Sequence, residues 1–221
     1  MEIIISDEIR AAAPAYKVIV LTADVTNPPT PDALWQELSE CHRQKGDRDM
    51  TMVNKTPAIA AARAAYKALG KDPNRYRPSA EALTRRAVKG LELYRTTAIV
   101  DLVNLLSLAS GHSIGAFDAD AIAGSVLTLG RGREGEPYEA IGRGQLNIEG
   151  LPVWRDALGG IGTPTSDNDR TKLSEATRRL LVTANIYGPS EMSDGEFADM
   201  MVRLLRDYAG ASNIEINTYG V

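Results

Sequence analysis

The run TAIVDLVNLLSLAS, residues 97 to 110, constrains the fold of this chain more than any other stretch. It has the length of a helix and is apolar over most of its circumference, so it predicts a helix buried as the spine of the domain. Asp101, Asn104 and Ser107 recur along it at three-residue spacing and draw one narrow polar stripe. Buried polar groups need partners, so the stripe either lines a polar pocket or enters a structural hydrogen-bond network.

Around this spine the pattern predicts an α+β fold with an α/β-like N-terminal part: a single compact domain, residues 1–221, with a mixed, largely antiparallel sheet packed by helices. β-branched runs at 2–6 and 16–24 flank a helical stretch at 8–13, and Pro28, Pro29 and Pro31 end that opening. Asp32 stands where an N-cap belongs, ahead of a helix over 33–44. Further helices are predicted over 57–69, closed by Gly70, and over 79–90, after the polar loop KDPNRYRP. From Ala123 the texture turns to β: SVLTLGRG, EPYEAIGRG and QLNIEG read as strands joined by Gly-rich hairpin corners. A strand over 180–187 and an amphipathic helix over 193–208 follow. The chain thus divides into an N-terminal α/β segment (1–70), a core (80–190), and a C-terminal helix and tail (191–221).

With 25 basic and 29 acidic residues the net charge is -4, which excludes a polybasic nucleic-acid binder. The charge is uneven, however. Residues 41–95 hold 13 Lys or Arg against five acids, whereas the first 40 residues sum to -5 and residues 190–221 to -4. The basic middle fits either a solvated helical surface or a phosphate-contact surface. In the second reading Arg75, Arg77, Arg85 and Arg86, with Tyr76 interleaved, bind RNA by donor forks and a stacking face. One cysteine, Cys41, and two histidines, His42 and His112, rule out an internal disulfide and a Cys/His zinc cage, so neither metal nor cofactor is expected. The start lacks the pattern of a secretory signal, and no run reaches the roughly 18 apolar residues of a membrane span. A cytoplasmic protein without membrane contact is the expectation.

Two motifs match in letters and fail in context. GHSIG, residues 111–115, has the form of a nucleophile elbow at Ser113, but a helical pattern precedes it and both histidines lie upstream. GRGREG, residues 130–135, matches a dinucleotide loop, but no helix follows to receive a pyrophosphate, and it reads as a hairpin corner. Adjacent residues on a helix point about 100° apart, so Cys41 and His42 make no nucleophile pair. Asp118 and Asp120 suit capping of a turn. The segment GGIGTPTSDNDRT, residues 159–171, is the strongest local signal for a site. Gly159, Gly160 and Gly162 would let the backbone approach an oxyanion, ribose or carboxylate, with Thr163, Thr165, Ser166, Asp167 and Arg170 supplying polar contacts; the alternative is a Gly-rich turn closed by an Asp167–Arg170 ion pair.

In their order, AIVDLVNLLSLASGHSIGAFDADAI (98–122), the meander 125–150, and 157–188 resemble the editing and tRNA-contact domain of the bacterial phenylalanyl-tRNA synthetase beta chain. The likeness covers about residues 80 to 190 and is most specific at the D-x-V-N of Asp101 and Asn104, at AFD (116–118), and at the Gly-rich segment. The synthetase's activation site has no room in this chain. The resemblance implies a free-standing relative that binds tRNA or aminoacyl-tRNA and hydrolyses mischarged ester in trans; alternatively, it implies a module that has lost catalysis and binds RNA, a free amino acid or another small ligand. It implies a substrate pocket lined by Asn104, the loop of Gly159, Gly160 and Gly162, and Thr183; the residues themselves add Asp101 and Thr163 to it, while Asp167, Arg170 and Thr171 have no counterpart in the synthetase and would define this branch's own site. The family's histidine and tyrosine-selecting glutamate would stand here as Gly115 and Thr183, so hydrolysis would rely on positioned water and the ribose of the RNA.

Overall fold

The computed structural model describes residues 1–220. Ten strands and six α-helices follow in chain order: β1 (Glu2–Ile5), α1 (Asp7–Ala12), β2 (Lys17–Asp24), α2 (Asp32–Gly46), α3 (Pro57–Ala68), α4 (Ser79–Val88), α5 (Ala98–Ser110), β3 (Ser113–Asp118), β4 (Val126–Arg131), β5 (Glu139–Ala140), β6 (Gly144–Gln145), β7 (Pro152–Asp156), β8 (Gly159–Gly162), β9 (Arg179–Ile186), α6 (Asp194–Ala209) and β10 (Ser212–Gly220). The class is α+β, as the sequence predicts, but the strands form two four-stranded sheets and a small ribbon rather than one sheet. One sheet runs β1-β4-β7-β8, with β1 parallel to β4 and the remaining pairs antiparallel. The other, β10-β2-β9-β3, is antiparallel throughout.

The α/β-like opening is therefore illusory: β1 and β2 enter different sheets and never pair. Side-chain alternation explains how β2 serves both sides. Ile19, Leu21 and Ala23 face a core shared with α2, α5 and α6, while Val18 and Val20 face Leu127, Leu129, Trp154 and Ile161 of the first sheet. The antiparallel sheet is thus a middle layer between helices and a second sheet, and its strand β9 is buried along almost its whole length. That is why β9 reads as a continuous apolar run rather than as an alternation.

Helix α5 is the predicted spine, with Ile99, Leu102, Leu106 and Leu108 buried, and it ends at Gly111 in the left-handed region (φ 77°). Ser113 accordingly opens a strand and accepts from the Ala80 N–H at 3.4 Å, far from the geometry of an elbow. Pro31 takes the cap position of α2, and Asp32 lies inside the helix, paired with Arg95 at 2.6 Å. GRGREG is a crossing between sheets, not a hairpin corner, since β4 pairs with β7 and β1 while β5 pairs with β6. QLNIEG supplies only the last residue of β6, and the rest is irregular chain ending in a turn at Glu149 and Gly150. Gly159–Gly162 is itself a strand, and the tail forms β10 on the outer edge of β2. Asp118 caps the next turn through the Asp120 N–H at 3.1 Å, as expected. Among the described residues no helix is long and apolar enough to cross a membrane, and no cluster of three or more His, Cys, Asp or Glu could hold a metal.

Candidate functional site

Helix α4 begins after Pro78, and its position is fixed by short bonds at its first turn, including Ser79 N–H to the Pro164 carbonyl at 2.7 Å. This anchors α4 beside α5 and below the segment 163–166. Between them lies a cleft of about 450 Å³ lined by Arg77, Ser79, Ala82, Leu83, Arg85, Arg86, Lys89, Leu91, Asn104, Arg143 and Thr165. Five of these side chains are cationic, none is a carboxylate, and none is a histidine or cysteine. Asn104, half-buried on the polar stripe of α5, is the one amide side chain in the wall, beside the hydroxyls of Ser79 and Thr165.

Two of the cations are held in place by the protein. Glu81, fully buried, accepts from Arg85 Nε at 2.8 Å and from Arg63 Nη1 at 2.8 Å, while Arg63 also donates to the Pro73 carbonyl and the Asn74 side chain. Arg86 donates from Nε to the Glu92 carbonyl at 2.6 Å. Of the five, only Arg85 is ion-paired among the described residues. The other four, without a carboxylate partner, give the cleft a positive potential that draws in an anion. The cleft is suited to phosphates or a carboxylate, with Arg forks and Asn104 giving orientation.

Asn104 and three of the four predicted RNA-contact arginines, Arg77, Arg85 and Arg86, therefore meet in one place. Sequence reasoning assigned them to separate sites. Thr165, a polar contact expected from the Gly-rich segment, joins them, and Lys89 and Arg143, which the sequence does not single out, complete the cleft; Arg143 arrives from the β5–β6 hairpin tip, a placement only the pairing of Ala140 with Gly144 reveals. Arg75 does not line the cleft, and the Tyr76 ring is covered by the Lys71 ammonium, 3.8 Å from its centroid.

The other predicted pocket residues are engaged elsewhere. Asp101 is fully buried and accepts from Thr30 Oγ1 at 2.6 Å, Thr96 N–H at 3.0 Å and Thr96 Oγ1 at 2.8 Å, so it ties loops to the first turn of α5. Thr163 Oγ1 accepts from the Thr165 and Ser166 N–H groups and closes its own turn. Gly159 opens β8 directly after the two-residue turn from β7, its N–H held by Asp156 Oδ1. Gly160 and Gly162 make room for aromatic rings: a Cβ on Gly160 would come within 2.8 Å of Tyr138, and one on Gly162 within 2.5 Å of Phe117. The Phe117 ring tip also lies against Gly115, whose added Cβ would meet it at 2.6 Å and Thr183 Oγ1 at 3.0 Å. Phe117 thus fills the space between the Gly-rich strand and Thr183, and Thr183 is fully buried with no partner for its hydroxyl.

Arg170 pairs with Asp156 (2.8 Å) and the Ala121 carbonyl rather than with Asp167. Thr171 is fully buried. Asp167 keeps a partial window to solvent, but burial of its carboxyl pushes it up to about 8, against the opposing pull of the Ala116 N–H at 3.3 Å. None of these three reaches the cleft lining.

A family model described as the B3/4 domain matches residues 61–196. A comparison with curated protein sequences found no match. Among solved structures, an N-terminal fragment of the phenylalanyl-tRNA synthetase beta-subunit from Pyrococcus horikoshii aligns with a TM-score of 0.49 at 12% identity, over 100% of this chain and 54% of that one. The chain spans about half the length of that fragment. The family match takes in α4, α5, the hairpin that carries Arg143 and the whole cleft lining, and the chain belongs to the B3/4 domain family.

Proposed function

We propose that this protein binds the aminoacyl end of tRNA in the cleft between α4 and α5 and clears mischarged ester in trans. The observation that carries the reading is the five-cation, carboxylate-free lining with Asn104 in its wall. Phosphates of the acceptor end are the anions such a lining accepts, and counterion release makes the contact favourable despite the overall charge of -4. Hydrolysis of an ester needs a placed water and stabilisation of the developing oxyanion. The Arg forks and Asn104 amide supply the second, and the water is placed by polar groups and the RNA's own ribose, because the lining holds no carboxylate, histidine or cysteine to take its proton or attack in its place.

That same lack of a general base favours a second reading, a module that holds tRNA or a free amino acid without turnover. A panel of tRNAs charged with non-cognate amino acids separates the two. Release above the buffer rate for at least one pairing, reduced about a hundredfold or more in Asn104→Ala if this amide stabilises the oxyanion, is the expected result. Tight binding without release across the panel would leave only the binding module.

A further inference from the structure

We propose that Tyr94 is a stacking platform for an unpaired nucleobase of the RNA whose phosphates enter the cleft. The inference rests on the RNA reading above and adds what the surface selects: single-stranded rather than duplex RNA.

Tyr94 is 76% exposed, the highest value among the large hydrophobic side chains left at the surface. An aromatic ring held in water gains nothing for the fold, yet this one is not left loose. The guanidinium of Arg86 lies over one face, 4.8 Å from the ring centroid, and Arg86 is itself fixed through Nε to the Glu92 carbonyl two residues before the tyrosine. The ring is therefore backed by a cation on one side and open on the other.

Arg86 is the link to the cleft, because it lines that cavity together with Lys89 and Leu91 of the same turn. A nucleotide whose phosphate sits between Arg86 and Lys89 has its base within reach of the adjacent Tyr94 face. The pairing of a cationic groove that tracks backbone with an exposed aromatic that accepts any base is the chemistry of single-strand recognition. A duplex buries its base faces in the helix stack and offers Tyr94 nothing to stack on. Tyr76, the aromatic that sequence suggests for this role, has its ring taken by Lys71.

Fluorescence anisotropy with a labelled 12-nucleotide single-stranded RNA and with the matched duplex tests the proposal, using the full chain and its Tyr94→Ala and Tyr94→Phe variants. Tyr94 buries little, so both variants fold. Stacking predicts that Tyr94→Ala weakens single-strand binding about tenfold, that Tyr94→Phe stays within about twofold of the parent, and that duplex binding is equal in all three. The salt dependence is unchanged in every case, since no phosphate contact is removed. Equal single-strand affinity in parent and Tyr94→Ala overturns the stacking role while leaving the cleft reading intact. Loss in Tyr94→Phe as large as in Tyr94→Ala overturns it in favour of a hydroxyl contact. If the parent binds neither RNA at low salt, the RNA reading itself fails, and this proposal with it.

Discussion

Replacing Asn185 by leucine should cost the fold about 4 kcal/mol, the sum of buried donors left without acceptors at ~1–3 kcal/mol each. Asn185 sits on β9 at the junction of the two sheets, 2% exposed. Its Oδ1 accepts from Tyr16 Oη at 2.8 Å and from Trp154 Nε1 at 3.0 Å, while its Nδ2 donates to the Ser113 carbonyl at 3.1 Å. Tyr16 and Trp154 are each 1% exposed, so neither donor has water as a substitute. For a domain of this size, thermal unfolding followed by circular dichroism should show a midpoint about 8–16 °C lower. A shift under about 3 °C would mean that the two sheets do not depend on this amide.

Glu81→Gln should be comparably costly, and for a reason connected to function. The carboxylate is the single counter-ion of Arg63 and Arg85, in a place where its own side chain is wholly buried. Removing the charge leaves two largely enclosed guanidinium groups facing a neutral amide, and breaking a buried pair in this way costs ~3–5 kcal/mol. A fall in the urea midpoint at constant slope reads the stability loss. Arg85 also loses the acceptor that holds it in the cleft wall, so RNA affinity should fall in the same variant. If stability is unaffected, the Arg63–Glu81–Arg85 cluster is not the anchor of the cleft.

The helices were legible because their signals are local: the apolar density of 97–110, Gly70 and Gly111 at C-termini, and the amphipathic spacing of α6, which carries a Ser193–Glu196 capping box. The sheets were not. Whether β1 and β2 share a sheet is decided by contacts with β4 and β9, more than a hundred residues away, and nothing within residues 2–24 encodes it. The edge strand β10 alternates weakly and is mostly exposed, so its sequence resembles a tail. The Gly-rich segment misled for a physical reason: a glycine that admits a ligand and a glycine that admits a neighbouring ring have the same sequence signature. Gly160 and Gly162 admit Tyr138 and Phe117. The polar stripe of α5 held both of its possible meanings at once, since Asp101 went into a structural network and Asn104 into the cleft. Three arginines of the basic middle of the chain, Arg77, Arg85 and Arg86, line the cleft, and only folding adds Arg143 to them.

Whether the cleft cations touch RNA phosphate is measured directly by the salt dependence of tRNA binding. Four or five contacts predict a log–log slope of about -3 to -4.5, at ~0.7–0.9 per phosphate. Lys89 and Arg143 are exposed and make no ion pair among the described residues, so Lys89→Gln and Arg143→Gln remove charge without disturbing the fold. Together they should shrink the slope by about 1.4–1.8 units. A slope unchanged by the double substitution, or no tRNA binding by the parent at low salt, would contradict the assignment of this cleft to RNA.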